Sequence, residues 1–241
     1  MNTSNGFNEL LQFQHDTEAL CSIAGRLGWD QETMMPRGAA GQRAEEIAAI
    51  QGILHSRRTD TRISDWLEKC AEASLNKVEL AQLYHIKRDY DRNSKIPERL
   101  ATEIAKVTSI SQGVWASARS NDSFSEFAPM LQEVVSLRKE QATILAEDRN
   151  LYDTLLDEYE PSAKCSDLRQ MFNALRPHLI NLRSAILENS NQPNPIKGYF
   201  DPKKQMVLAK FVAEAIGYDF NCGRLDTTIH PFASGSGQDV R

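Results

Sequence analysis

The run FSEFAPMLQEVVSLRKEQATILAE, Phe124–Glu147, decides the fold class. Its apolar residues recur at helical rather than alternating spacing, and Asp122 or Ser123 stands where an N-cap belongs. At about 1.5 Å per residue, a helix of this length crosses a domain of this size.

Helical spacing continues to either side. Towards the N-terminus, Pro97 opens a helix to Arg119, and Asn76 begins another through Val78, Leu80, Leu83, Tyr84 and Ile86 to about Arg92. Ser64 caps a short helix over Ile63–Ala73, and Gly38–Ser56 carries Ala44, Ile47, Ile50 and Leu54 on one face. A first helix is expected over Phe7–Ala24, stopped by Gly25 and Gly28, with a loop from Leu27 to Pro36. That loop places large apolar residues beside acids, so it should pack somewhere specific. Towards the C-terminus, the acidic and aromatic stretch Asn150–Pro161 is assigned no element, and Ser166–Glu188 is helical again. The Asn- and Pro-rich stretch 189–198 reads as an exposed connection. Asp201-Pro202 then opens a helix that closes at Ile216-Gly217. From Gly223 to Arg241, β-branched residues and Gly235-Ser236-Gly237 have the grammar of a β-hairpin. The expected class is all-α with a short hairpin at the C-terminal end. Its expected organisation is a helical region over 1–190 followed by a helix and hairpin over 199–241.

The 241 residues are 41% apolar, 25% charged and 7% aromatic, a globular composition far from that of a disordered chain. Lys+Arg of 28 against Asp+Glu of 33 gives 28 − 33 = −5, which offers no field for nucleic acid or an anionic membrane. No apolar run approaches the ~20 residues that span a bilayer. The start lacks a basic and apolar leader, which makes the cytoplasm the expected location. Four widely spaced cysteines, Cys21, Cys70, Cys165 and Cys222, read as free thiols, mostly in the core.

Motifs for chemistry are sparse. His15, His55, His85, His178 and His230 lie too far apart for H-E-x-x-H, and no P-loop, G-x-G-x-x-G or G-x-S-x-G occurs. His85 and Asp89, four apart on one helix face, read as a surface ion pair. The carboxylate pairs Asp30/Glu32 and Glu158/Glu160 read as capping or hydrated groups. His230 is set apart because Pro231 forces it out of the α region.

The non-helical segments together resemble the carboxypeptidase Taq family of metallocarboxypeptidases. Trp29-Asp30-Gln31-Glu32-Thr33-Met34-Met35-Pro36, followed by Gly38-Ala39-Ala40 and Arg43-Ala44, resembles the family's N-terminal signature. Tyr152-Asp153, Leu155-Leu156-Asp157 and Tyr159-Glu160-Pro161 resemble its mid-chain one. Gly223-Arg224-Leu225-Asp226, His230-Pro231-Phe232 and Asp239-Val240-Arg241 resemble the run preceding its zinc helix. Ser162 stands where the family usually has Gly, and Thr228 where Ser is common.

The resemblance implies a zinc- or cobalt-dependent exopeptidase, mostly helical, folded as two halves around a deep groove. It further implies a homodimer acting on peptides with a free C-terminus. The family's H-E-x-x-H, third metal ligand and later His and Arg motifs lie beyond Arg241. This chain is therefore expected to match the N-terminal portion, with no catalytic residue, metal ligand or bound metal of its own. Groove-side or metal-supporting roles fall to His230, Pro231, Phe232, Asp239, Arg241, Asp226 and Arg224, with Trp29, Asp30 and Glu32 behind them. Alone, the chain is expected to be an inactive fragment that self-associates through uncovered apolar surface and an open strand edge. The rival readings are a truncated paralogue acting as a non-catalytic peptide- or partner-binding module, and an unrelated helical adaptor without the hairpin.

Overall fold

Two glycines fail to stop the first helix. The computed structural model describes residues 3–71 and 73–241. In it α1 runs Thr3–Thr33, through Gly25 and Gly28 and most of the segment expected to be a loop. Neither glycine takes a positive φ. A helical glycine costs about 1 kcal/mol relative to Ala, but the last turns are held from outside. Arg43 Nη1 donates to the Leu27 carbonyl at 2.6 Å, its Nη2 pairs with Asp30 at 2.6 Å, and the Trp29 ring is buried. Termination comes instead from Pro36, which disfavours helix at Met35. The amides of Met34 and Met35 both turn back to the Asp30 carbonyl.

After a single 3₁₀ turn at Arg37–Ala39 come α2 (Ala40–Arg58), α3 (Arg62–Cys70), α4 (Lys77–Asn93), α5 (Glu98–Ser120) and α6 (Phe124–Ala146). Asn76 caps α4 in a full capping box with Glu79. Ser64, expected as the cap of α3, lies inside it. Asp60 accepts from the Arg62 amide at 2.9 Å and does that work instead. Glu72, within the helix expected to reach Ala73, lies outside the described residues. Pro97 is the N-cap of α5 rather than its first residue.

The first compact unit comprises residues up to Leu145 together with Asn221–Arg241. Its core has two clusters. Leu100, Ile104 and Val107, at i, i+4 and i+7 on α5, pack with Ile96 and with Leu137 and Leu145 of α6. Leu10 and Phe13 of α1 pack with Ile63 and Trp66 of α3, the Phe13 and Trp66 rings lying 5.4 Å apart. Arg57 stacks over the Phe13 ring, 4.0 Å from its centroid, and donates to the Phe13 carbonyl. A fully buried Leu such as Leu10 or Leu100 contributes roughly 2–3 kcal/mol by leaving water.

The hairpin expected in this unit is present. β1 (Gly235–Ser236) and β2 (Asp239–Val240) pair antiparallel, Gly235 opposite Val240 and Ser236 opposite Asp239. Gly237 supplies the turn at φ +61°, and a Cβ on Gly235 would lie 3.0 Å from the Asp239 carbonyl oxygen. Ser234 and Arg241 exchange amide hydrogen bonds at 2.7 Å, and the Arg224 amide donates to the Val240 carbonyl. Ser22 Oγ, 2.6 Å from Ser236 Oγ, ties β1 to α1.

The second unit, Ala146–Phe220, contains α7 (Leu151–Leu156), α8 (Cys165–Glu188) and α9 (Pro202–Ala215). Its acids act as caps. Asp153 accepts from the Cys165 amide at 2.8 Å as α8 begins, and Asp157 accepts from the Ser162 amide at 2.9 Å. Asp201 caps α9, and Gly217 follows it at φ +93°.

Some side chains depart from expectation. Only Cys70 is buried among the four free cysteines, Cys222 being exposed. His85 sets its ring edge-on to Tyr84, 5.3 Å between centroids, while Asp89 lies 3.8 Å from Arg88. Among the described residues, no helix is long and apolar enough to cross a membrane.

Candidate functional site

Because α1 continues past Gly28, it carries Trp29 to the hairpin, and the charged ends of the hairpin close over the ring. The guanidinium carbons of Arg241 and Arg224 lie 4.4 Å and 4.8 Å from the Trp29 ring centroid. Each guanidinium is gripped by a carboxylate two residues away. Arg241 donates twice to Asp239, both at 2.8 Å, and Arg224 twice to Asp226, at 2.6 Å and 2.9 Å. Arg26, one turn before Trp29 on α1, adds a longer contact of 3.4 Å to Asp239. The hydrogen bonds from Arg241 hold the Asp239 carboxyl below the usual range, and donation to Asp239 and Asp226 holds Arg241 and Arg224 in the charged form. Arg26 and Arg241 face Glu18 and Asp239 around a cleft of about 460 Å³ bordered by Cys21, Gly25, Trp29 and Ser234. Such an arrangement orients planar anionic groups and fixes the strand ends that bear them.

Glu32 and His230 belong to a second group. Gln112 Nε2 donates to Glu32 Oε2 at 2.6 Å, Thr228 Oγ1 donates to the Glu32 carbonyl at 3.1 Å, and the His230 ring stands edge-on to Trp115. Burial pushes the Glu32 carboxyl up, against the opposing pull of Gln112 and of nearby His230. Glu32, Gln112 and Thr228 border a larger cavity of about 720 Å³ between the end of α1, α5 and residues 227–229.

Of the residues selected from the sequence, Trp29, Arg224, Asp226, Asp239 and Arg241 therefore converge, and Glu32 lies within electrostatic reach of His230. Asp30 turns away into a clamp with Arg43, which also binds Glu46 at 3.0 Å. Pro231 and Phe232 are exposed and join neither set of contacts. Arg26, Gln112 and Trp115 were not selected. Arg26 shares a face with Trp29, and Gln112 with Trp115, at i, i+3, a signal hidden for the first pair by ending the helix at Ala24.

A metal finds no fit here. Among the described residues, no three His, Cys, Asp or Glu side chains converge to hold an ion. The carboxylates of the cluster are committed to arginine.

The sequence matches the carboxypeptidase Taq (M32) metallopeptidases over residues 9–241. The chain belongs to that family. It is 36% identical to thermostable carboxypeptidase 1 of Thermus thermophilus over 258 aligned positions, covering 100% of this chain and 50% of that protein. Carboxypeptidase 1 of Bacillus subtilis is 30% identical, covering 95% and 46%. Among solved structures, that of the carboxypeptidase BsuCP superposes with a TM-score of 0.87 at 29% identity, covering 99% of this chain and 48% of that one. The Pyrococcus furiosus carboxypeptidase gives 0.81 at 26%, covering 98% and 49%. The chain spans about half the length of these relatives. The M32 resemblance read from the ordered motifs holds, as does the mainly helical class with one small hairpin. Membership in M32 implies a divalent metal.

Proposed function

We propose that this chain is the N-terminal portion of a metallocarboxypeptidase. Complete, the protein adds water across the last peptide bond of a peptide and releases the C-terminal amino acid. Its divalent metal, zinc or cobalt, is held by residues outside these 241, and the chain alone hydrolyses nothing. The complete protein is a cytoplasmic homodimer.

The observation that carries this reading is the convergence of motif residues from distant parts of an M32 chain on one cluster, Trp29 beneath Arg224 and Arg241. The Asp239–Arg241 and Asp226–Arg224 pairs lie against the Trp29 indole, and Arg26 adds a further contact to Asp239. Their role is to fix the approach to the metal-bearing half. His230 serves on the substrate side beside Glu32.

The test begins by reading the source locus and transcript through the Arg241 codon. A frame continuing into H-E-x-x-H predicts a product that releases free amino acid from a blocked tripeptide, loses that activity to a chelator, and regains it with zinc or cobalt. Turnover with stoichiometric zinc on the 241-residue chain, or a family-length product that hydrolyses nothing, overturns the reading.

The second reading, a partner-binding paralogue without catalysis, is favoured by the exposed apolar residues of α8 and α9, among them Leu179, Leu182 and Phe211. It predicts a genuine stop after Arg241 and co-purification with an intact M32 member, absent from a tag-only control.

A further inference from the structure

The exposed apolar residues of α8 follow a heptad. Leu168, Leu175 and Leu182 fall at d, and Phe172, Leu179 and Ile186 at a, a seam that runs about 27 Å along the helix. All but the half-buried Leu168 are exposed. Pro177, which removes one helical hydrogen bond, falls at f, on the side away from the seam. One flank of the seam is cationic throughout. Arg169, Arg176 and Arg183 occupy successive e positions, all exposed, and none makes an ion pair among the described residues; Arg169 approaches the Cys165 Sγ at 3.9 Å. The acids of α8, Asp167 and Glu188, stand at c, off the seam.

These charges decide what can cover the stripe. A second copy of α8 would set the arginine row against itself if antiparallel, or against Met171, His178 and Ala185 at g if parallel, and neither flank supplies an acid. Helix α9 brings Lys203, Lys204 and Lys210 with a single acid, Glu214. The polar side of α8, with Gln170, Asn181 and Ser184, lacks the dense cations of a helix that lies on a membrane. We propose that α8 docks one amphipathic helix of a partner protein, its heptad leucines seated between those of α8 and its carboxylates paired with Arg169, Arg176 and Arg183. The surface uses no metal and no residue of the Trp29 cluster, so it stands apart from the peptidase reading and gives the partner-binding one a face and a chemistry. Self-association through the bare stripe leaves the three arginines unmatched, and the acidic helix displaces it.

Fluorescence anisotropy of a labelled three-heptad peptide, with isoleucine at a, leucine at d and glutamate at e and g, tests this on the 241-residue chain. Saturable one-to-one binding is expected, and a peptide bearing lysine in place of each glutamate should bind at least tenfold more weakly. Light scattering of the chain with the acidic peptide should fall to the mass of one chain plus one peptide. Arg169→Glu with Arg176→Glu and Arg183→Glu, all at exposed positions, should reverse the preference at an unchanged melting temperature. Leu175→Glu with Leu182→Glu should abolish binding of both peptides. Equal binding of the two peptides reduces the stripe to nonspecific adhesion. An oligomer that the acidic peptide does not disperse makes a second copy its occupant, and capture on phosphatidylserine vesicles without peptide binding makes it a membrane face. Each of these, like an acidic peptide that does not bind or an unreversed preference in the folded triple variant, overturns the proposal.

Discussion

Ser162 sits at φ +69°, in the left-handed region that an L residue occupies at a cost of roughly 1–2 kcal/mol. It holds that conformation because its amide is bound by Asp157, and it stands where the M32 signature commonly has glycine. Ser162→Gly removes the steric cost at the price of a more flexible unfolded chain. We expect a net gain of roughly 0.5–1 kcal/mol, read as a higher urea midpoint at unchanged slope. Glu32 offers a pH test. Burial raises its carboxyl above the unfolded value, so the folded state binds that proton more tightly than the unfolded one. This contribution favours folding below the unfolded pKa and is lost as pH rises through the folded one. Glu32→Gln keeps an acceptor for Gln112 and removes the charge. The variant should therefore melt above the parent at pH 7, and the gap should close near pH 4. At this scale the motif residues Arg224, Asp226, Asp239 and Arg241 were legible. Their common partner Trp29 was only weakly so, because the register of a hairpin against a helix depends on packing between residues some 200 positions apart.

Among the elements, α1 was misread for an identifiable reason. Gly25 and Gly28 resemble a helix stop, yet Arg43 and the buried Trp29 stabilise the turns around them by more than the glycines cost. Gly28→Ala separates the two readings. In a helix, with no atom outside the helix's own backbone within 4 Å of the new Cβ, it should stabilise by about 0.5–1 kcal/mol, a rise of roughly 1–4 °C in Tm. In a glycine-dependent loop it would destabilise. Helix α4, with its Asn76 capping box, and helices α5 and α6, which share the cluster of Leu100, Ile104, Val107, Leu137 and Leu145, were legible almost to their ends. The short α7 was not, because capping by Asn150 defines it more than any periodicity does. Trp29 also joins elements. Trp29→Ala should cost about 3–5 kcal/mol and release the hairpin from α1. Hydrogen exchange would then show the Arg224, Ser234 and Arg241 amides losing protection before those of α5.

Across the whole molecule, the distribution of apolar surface departs furthest from that of a self-sufficient domain. The cores of the first unit bury Leu10, Ile63, Leu100 and Leu145 almost completely, whereas α8 exposes Phe172, Leu175, Leu179, Leu182 and Ile186. These are spaced 3, 4, 3 and 4 residues apart, a continuous stripe of the kind that helices bury against one another. On α9, Leu208, Phe211 and Val212 repeat the pattern, Phe211 being 66% exposed. The sequence places uncovered apolar surface beside the hairpin, whereas the longest exposed stripe lies on α8, with a shorter one on α9. A net charge of −5 repels weakly at physiological ionic strength, where the Debye length is about 8 Å, and a stripe of this length gains more by association than that repulsion costs. Light scattering at tens of micromolar should give a mass above the monomer, with ANS fluorescence enhanced in step. Leu179→Glu combined with Phe211→Glu should lower both without shifting the melt of the first unit. A strictly monomeric, dye-silent parent chain would show that these helices cover their own apolar faces in solution.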